Sequence, residues 1–239
     1  MIVSLIHLEK VHNEMRSSNF YPQNERLYRL DTVIVDSSFL SATTLDADTP
    51  PCDPYTGCHR RALPTEKKCS KKCWTLVDLL MTIEYMKTFD FFRHLSHADK
   101  KALIRHVAIM CTHLTVGFFS YDKKSDVTIF PDGSSRRKGI FSEDLELERL
   151  TLHGVIQILR GLDIDKNEYV LLKALIVCNP AIEGLSICYT KELEKERLKY
   201  SKSLMSYVLS RRGVQKGPEA FTAMMAFIGT LTHMMKRHK

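Results

Sequence analysis

The sequence predicts an all-α fold, a three-layer helical sandwich with one small β-hairpin, and three observations lead there. Two successive helical stretches are apolar around most of their circumference, Trp74 to Phe92 and then Leu103 to Val116. A helix of that kind is covered on two sides, so two in succession call for a middle layer and two outer ones. Only one stretch alternates as a strand does, and the remaining periodic segments are helical.

Taken in order, Ile2, Leu5, Ile6, Leu8, Val11 and Met15 form a helical stripe that ends before Asn19 and Pro22. Periodicity then fades from Tyr21 to about Cys73, where Asp46 to Pro54 holds three prolines and three aspartates. A loop that long is uncommon inside a compact domain and reads as an insertion or a site of its own. Residues 1–22 are therefore a first helix and hinge-like segment, 23–73 an irregular cysteine-containing loop, and 74–239 the body of one domain spanning 1–239.

Trp74, Val77, Met81 and Tyr85 mark one face of the next helix, and Leu76, Leu79, Leu80, Ile83 and Met86 another. A narrow polar stripe remains at Thr75, Asp78 and Thr82. Ser96 offers an N-cap with Asp99 three residues on, ahead of Leu103, Val107, Ile109, Met110, Leu114 and Val116. Val127 and Ile129 alternate with polar residues and run into Pro131-Asp132-Gly133, which is good turn chemistry. Glu143 and Asp144 suit the first turn of a helix whose apolar face spans Leu145 to Leu162. Asp165 and Glu168 repeat the cap spacing before a helix from Tyr169 to Cys178, which stops at Asn179-Pro180. A charged helix runs from about Thr190 to Gly213, and a last one opens at Pro218 with Phe221, Met224, Met225, Ile228 and Leu231 on one face.

Composition narrows the function. With 239 residues and 44% hydrophobic content the chain is able to bury a full core. The net charge of +7 is spread in small clusters, at Lys67 to Lys72, Arg136 to Lys138 and Lys236 to Lys239, as on a solvated basic surface. Seven cysteines behind no leader-like start are expected to be reduced and intracellular. No run approaches the roughly twenty apolar residues of a membrane span, so no membrane partner is expected. A Gly-rich phosphate loop, a Gly-x-Ser-x-Gly elbow and a tuned acid pair are all missing, which argues against an enzyme.

The segment Glu84-Tyr85-Met86-Lys87, Phe91-Phe92, Leu95, Asp99-Lys100, Leu103-Ile104-Arg105 resembles the signature of nuclear hormone receptor ligand-binding domains. Further pieces follow in the family's order: Pro131-Asp132-Gly133-Ser134, Glu168-Tyr169-Val170-Leu171-Leu172-Lys173-Ala174, and Asn179-Pro180. The opening Leu8-Glu9-Lys10, His12, Met15-Arg16-Ser17 and Phe20-Tyr21-Pro22 is similar to the nematode receptor group related to hepatocyte nuclear factor 4. The resemblance implies an antiparallel three-layer helical sandwich with one hairpin, in a nuclear protein that regulates transcription. It also implies coregulators as partners, dimerisation with itself or other receptors, and no cofactor beyond a small lipophilic ligand.

By that resemblance Lys87 grips the C-terminal carbonyls of a partner's short Leu-rich helix, the negative end of its dipole, and Arg105 lines the same groove. Pocket walls fall to Leu80, Met81, Ile83, Met110, His113 and Leu114, which are mostly apolar as a lipid-like ligand requires. Relatives that hold a ligand carboxylate place an arginine where this sequence reads Gly117-Phe118-Phe119-Ser120, which speaks against a fatty-acid-type ligand. The dimer surface falls to Phe221, Met224, Met225 and Ile228, residues that would equally serve as plain core.

Two departures from the family are expected to matter. Few residues precede the first helix, which leaves no room for a DNA-binding module, and no Asp or Glu follows Glu219, which leaves the terminal activation helix without its acidic residue. The alternative reading is thus an interaction module without its own DNA contact that titrates other receptors or corepressors. Cys52, Cys58, Cys69 and Cys73, with gaps of five, ten and three, suggest a zinc site only loosely, and free thiols are the plainer reading. His94, His97, His106 and His113 share no convergent face and read as ordinary histidines.

Overall fold

The computed structural model describes residues 1–18, 29–35, 37–42, 72–135 and 143–236. Among these, regular structure is helical, and a single antiparallel bridge between Ile129 and Ser135 is what remains of the expected hairpin. Its turn closes through Phe130 N donating to Ser134 O at 2.9 Å and Gly133 N to Phe130 O at 2.9 Å. Gly133 sits at φ 78°, where a side chain would be strained. The chain divides into two compact units, His7–His94 and Met1–Ile6 with Leu95–Lys239.

In the first unit, most of α1 (Ile2–Ser17) is joined by two single-turn helices, α2 (Leu30–Val33) and α3 (Phe39–Ala42), then α4 (Trp74–Lys87) and α5 (Asp90–His94). The two short helices lie inside the stretch read as irregular. Their four-residue length is too short to show a helical period in sequence. The helix expected to reach Phe92 ends at Lys87 instead, where Thr88 and Phe89 donate to the Tyr85 and Met86 carbonyls as the turn tightens. Of the polar stripe of α4, Thr75 is exposed and the other two residues do not face water. Thr82 is fully buried, and Asp78 is buried against Arg16, whose guanidinium donates to both carboxylate oxygens at 2.5 and 3.1 Å.

The second unit contains α6 (His97–Asp122), α7 (Glu143–Gly161), α8 (Lys166–Val177) and α9 (Ile187–Lys236). Ser96 caps α6 by accepting from Asp99 N at 3.1 Å. Asp165 and Glu168 close a reciprocal capping box on α8, as their spacing predicts. Helix α8 is buried from Glu168 through Val177, which makes it an interior helix. Close approach of α6 to α7 depends on Gly117, because a Cβ there would lie 2.5 Å from Val155 Cγ1. By length and composition α6 would suffice to cross a membrane, but 61% of the qualifying window is buried in the fold, the pattern of a core helix. The two expected C-terminal helices form one run broken at Gly213 (φ 77°, ψ 169°), and helix resumes before Pro218 rather than at it.

Candidate functional site

Lys87 closes α4 and sits in a closely bonded polar cluster of the unit His7–His94. Its side chain is 2% exposed and Glu84, one turn earlier on the same face, is 0% exposed. Lys87 Nζ donates to Glu84 Oε1 at 2.6 Å and to the Val33 carbonyl at 2.9 Å. The other carboxylate oxygen, Glu84 Oε2, accepts from Phe39 N at 3.2 Å. Ser38 Oγ donates to the Glu84 carbonyl at 2.7 Å and accepts from Leu40 N at 3.2 Å. Lys87 is therefore no surface cation; two of its three donors are spent within its own unit. Glu84 entered the sequence reading only as part of the signature segment and Ser38 not at all, although the Glu-to-Lys spacing on a helix was a signal of an ion pair.

The expected pocket residues of this unit, Leu80, Met81 and Ile83, are all buried, Met81 completely. Beside them His12 meets Tyr85 edge-on at 5.9 Å, and Tyr85 meets Phe89 at 5.5 Å. Cys73 is exposed immediately before α4, whereas Cys52, Cys58 and Cys69 lie outside the described residues. Among the described residues no three His, Cys, Asp or Glu side chains converge as a metal site would require.

In the unit of Leu95–Lys239, Met110, His113 and Leu114 are buried on α6, and His113 Nδ1 lies 2.9 Å from the Ile109 carbonyl. Arg105 is exposed on the same helix. The stretch Gly117-Phe118-Phe119-Ser120 has structural duties: Phe118 stacks on Tyr169 at 3.8 Å, and Ser120 Oγ donates to the Val116 carbonyl and accepts from Ile129 N. Of the residues read as a dimer surface, Met224 and Ile228 are buried in the chain's own core, and Phe221 and Met225 are partly exposed.

Two charged clusters in this unit escaped the sequence reading as clusters. Asp99 accepts from Ser186 N at 2.8 Å and from the Ser186 and Ser96 hydroxyls, tying the start of α6 to the approach to α9. Burial pushes the Asp99 carboxyl up, and these hydrogen bonds outweigh it, leaving the group below its ordinary value. Glu168, fully buried, accepts from Arg211 at 2.8 Å and from Arg212 at 2.9 and 3.1 Å. Both arginines also reach the Asp163 carbonyl, so the pair pins the chain just before the break at Gly213. Cys178, at the end of α8, has its thiol pushed well up by burial and then by Glu196, which keeps it neutral.

Comparison with known proteins identifies a family model, the ligand-binding domain of nuclear hormone receptor, that matches residues 67–239. Three similar proteins are nuclear hormone receptor family members of Caenorhabditis elegans. With nhr-136 the chain is 32% identical over 223 residues, 91% of this chain and 49% of that protein. With nhr-153 it is 35% identical over 165 residues, 67% and 39% of the two lengths. With nhr-60 it is 36% identical over 168 residues, 70% and 36%. The chain spans about half the length of these curated relatives or less.

Proposed function

The chain belongs to the nuclear hormone receptor ligand-binding-domain family, and from that premise we propose that it regulates transcription in the nucleus, taking a small lipophilic ligand and contacting coregulators rather than catalysing a reaction. The observation that carries this reading is the family match across residues 67–239, which includes every residue assigned to pocket, groove and dimer surface. The pocket candidates support it chemically. Leu80, Met81 and Ile83 in the unit His7–His94, and Met110 and Leu114 in the unit of Leu95–Lys239, are each buried and apolar, the character that a lipophilic ligand requires, and His113 is the one polar candidate among them. Lys87 and Arg105 are the residues proposed for coregulator contact, and the partly exposed Phe221 and Met225 are proposed to meet a second receptor chain.

The test is to tether the chain to a reporter promoter through a heterologous DNA-binding domain and to collect native mass spectra of the purified chain. A several-fold change in reporter output, reduced by Arg105→Ala, together with a bound lipid-sized mass, is the expected result. Reporter output at the level of the DNA-binding domain alone would sink the transcriptional reading. A ligand-free dimer would instead favour an interaction module that titrates other receptors.

A further inference from the structure

The last turn of α4 already holds helix ends, and those ends belong to the same chain. Val33 is the last residue of α2, so its carbonyl is one of those a helix leaves without an internal partner, and Lys87 supplies the missing donor. Phe39 is the first residue of α3, so its amide is one of the unpaired donors at a helix start, and Glu84 supplies the missing acceptor. A cation on a carbonyl end and a carboxylate on an amide end are each the favourable match for a helix terminus. Here Lys87 and Glu84 provide both within one helical turn, and they also pair with each other at 2.6 Å.

Around this polar centre α2, α3 and the residue after α2 are anchored by buried apolar side chains: Val33 and Ile34 are 2% exposed, Leu40 4% and Phe39 9%. A polar centre ringed by buried apolar anchors is how a docked peptide is held. With two donors spent and only 2% of its side chain exposed, Lys87 has no face left for an outside helix.

We propose that α2 and α3, with the described residues beside them, form an autoinhibitory strap that occupies Lys87 and Glu84 in place of a Leu-rich coregulator helix. A partner binds at Lys87 only after the strap has left. The inference rests on the reading that Lys87 serves coregulator contact. A partner's apparent affinity is then reduced by the fraction of molecules in which the strap is released.

The test uses the full chain and a fluorescein-labelled helical peptide carrying Leu-x-x-Leu-Leu, followed by fluorescence anisotropy. Phe39→Asp removes an apolar anchor and sets a second carboxylate against Glu84; it is expected to tighten peptide binding about tenfold by raising the released fraction. Ser38→Ala loses the hydroxyl bridge to the Glu84 carbonyl and the bond from the Leu40 amide, and is expected to tighten binding about two- to threefold. Adding Lys87→Ala to either variant is expected to remove the gain. Hydrogen exchange on the unsubstituted chain serves if Phe39→Asp does not fold: saturating peptide is expected to strip protection from residues 30–42. Binding no tighter in folded strap variants, or peptide bound with that protection intact, overturns the strap while leaving the coregulator reading standing. Peptide bound by none of the chains, strap variants included, defeats the coregulator reading and the strap together.

Discussion

The unit His7–His94 holds two closed buried ion pairs, Arg16 with Asp78 and Glu84 with Lys87, and no member of either pair has a side chain more than 2% exposed. In the unit of Leu95–Lys239 the fully buried Glu168 is instead shared between Arg211 and Arg212, whose side chains remain 28% and 18% exposed. The first arrangement desolvates both partners, so each holds its mate's charge in a medium that would not otherwise accept it. The second desolvates one carboxylate and leaves its cations a route to water. The difference teaches where the molecule is brittle. Losing half of a closed pair strands a charge, whereas losing the shared carboxylate leaves arginines that re-solvate.

The largest effect is therefore expected from Asp78→Ala, which strands the Arg16 guanidinium and should cost about 3–5 kcal/mol in urea denaturation. Replacing both partners by apolar residues, Arg16→Met with Asp78→Leu, is expected to recover most of that loss. An equal loss in the single and double variants would show that shape, not charge balance, is what this part of the core demands.

A smaller effect is expected from Glu168→Ala, about 2–3 kcal/mol, because charge-assisted hydrogen bonds are lost but no cation is trapped. Its hydrogen-exchange signature should be local, with protection lost around Asp163–Glu168 and the residues before Gly213. If Glu168→Ala proved as costly as Asp78→Ala, the contrast between closed and shared charges would fail.

How much of this was legible in sequence follows the range of each interaction. The caps at Ser96 and Asp165 act over three residues, and both fall where the spacing put them. The break at Gly213 was legible for the same reason, since only glycine is at ease at φ 77°. Asp78 stood only as part of a polar stripe, because nothing in α4 shows that Arg16, 62 residues earlier, reaches it. Lys87 was found as a functional candidate, but its partner Val33 stands 54 residues away, and Phe39, the partner of Glu84, 45 residues from it, each on a single-turn helix without a period of its own. Local capping is written in residue spacing, and long-range pairing of charges is written only in the fold.

Asp99 offers the finest test of the comparison, because it is nearly buried like Asp78 but satisfied by neutral hydroxyls and an amide instead of a cation. No charge is stranded when it is changed, so Asp99→Asn is expected to cost only about 1 kcal/mol at neutral pH. The sign of its pH dependence follows from the depressed carboxyl: the folded chain binds the proton more weakly than the unfolded chain does. Its contribution is thus complete above the ordinary carboxylate value of about 3.9 and is lost as pH falls through and below it. Urea midpoints of the unsubstituted chain and Asp99→Asn should differ at pH 7 and converge toward pH 3. A difference that stayed constant down to that pH would mean that Asp99 acts through its shape at the start of α6 and not through its charge.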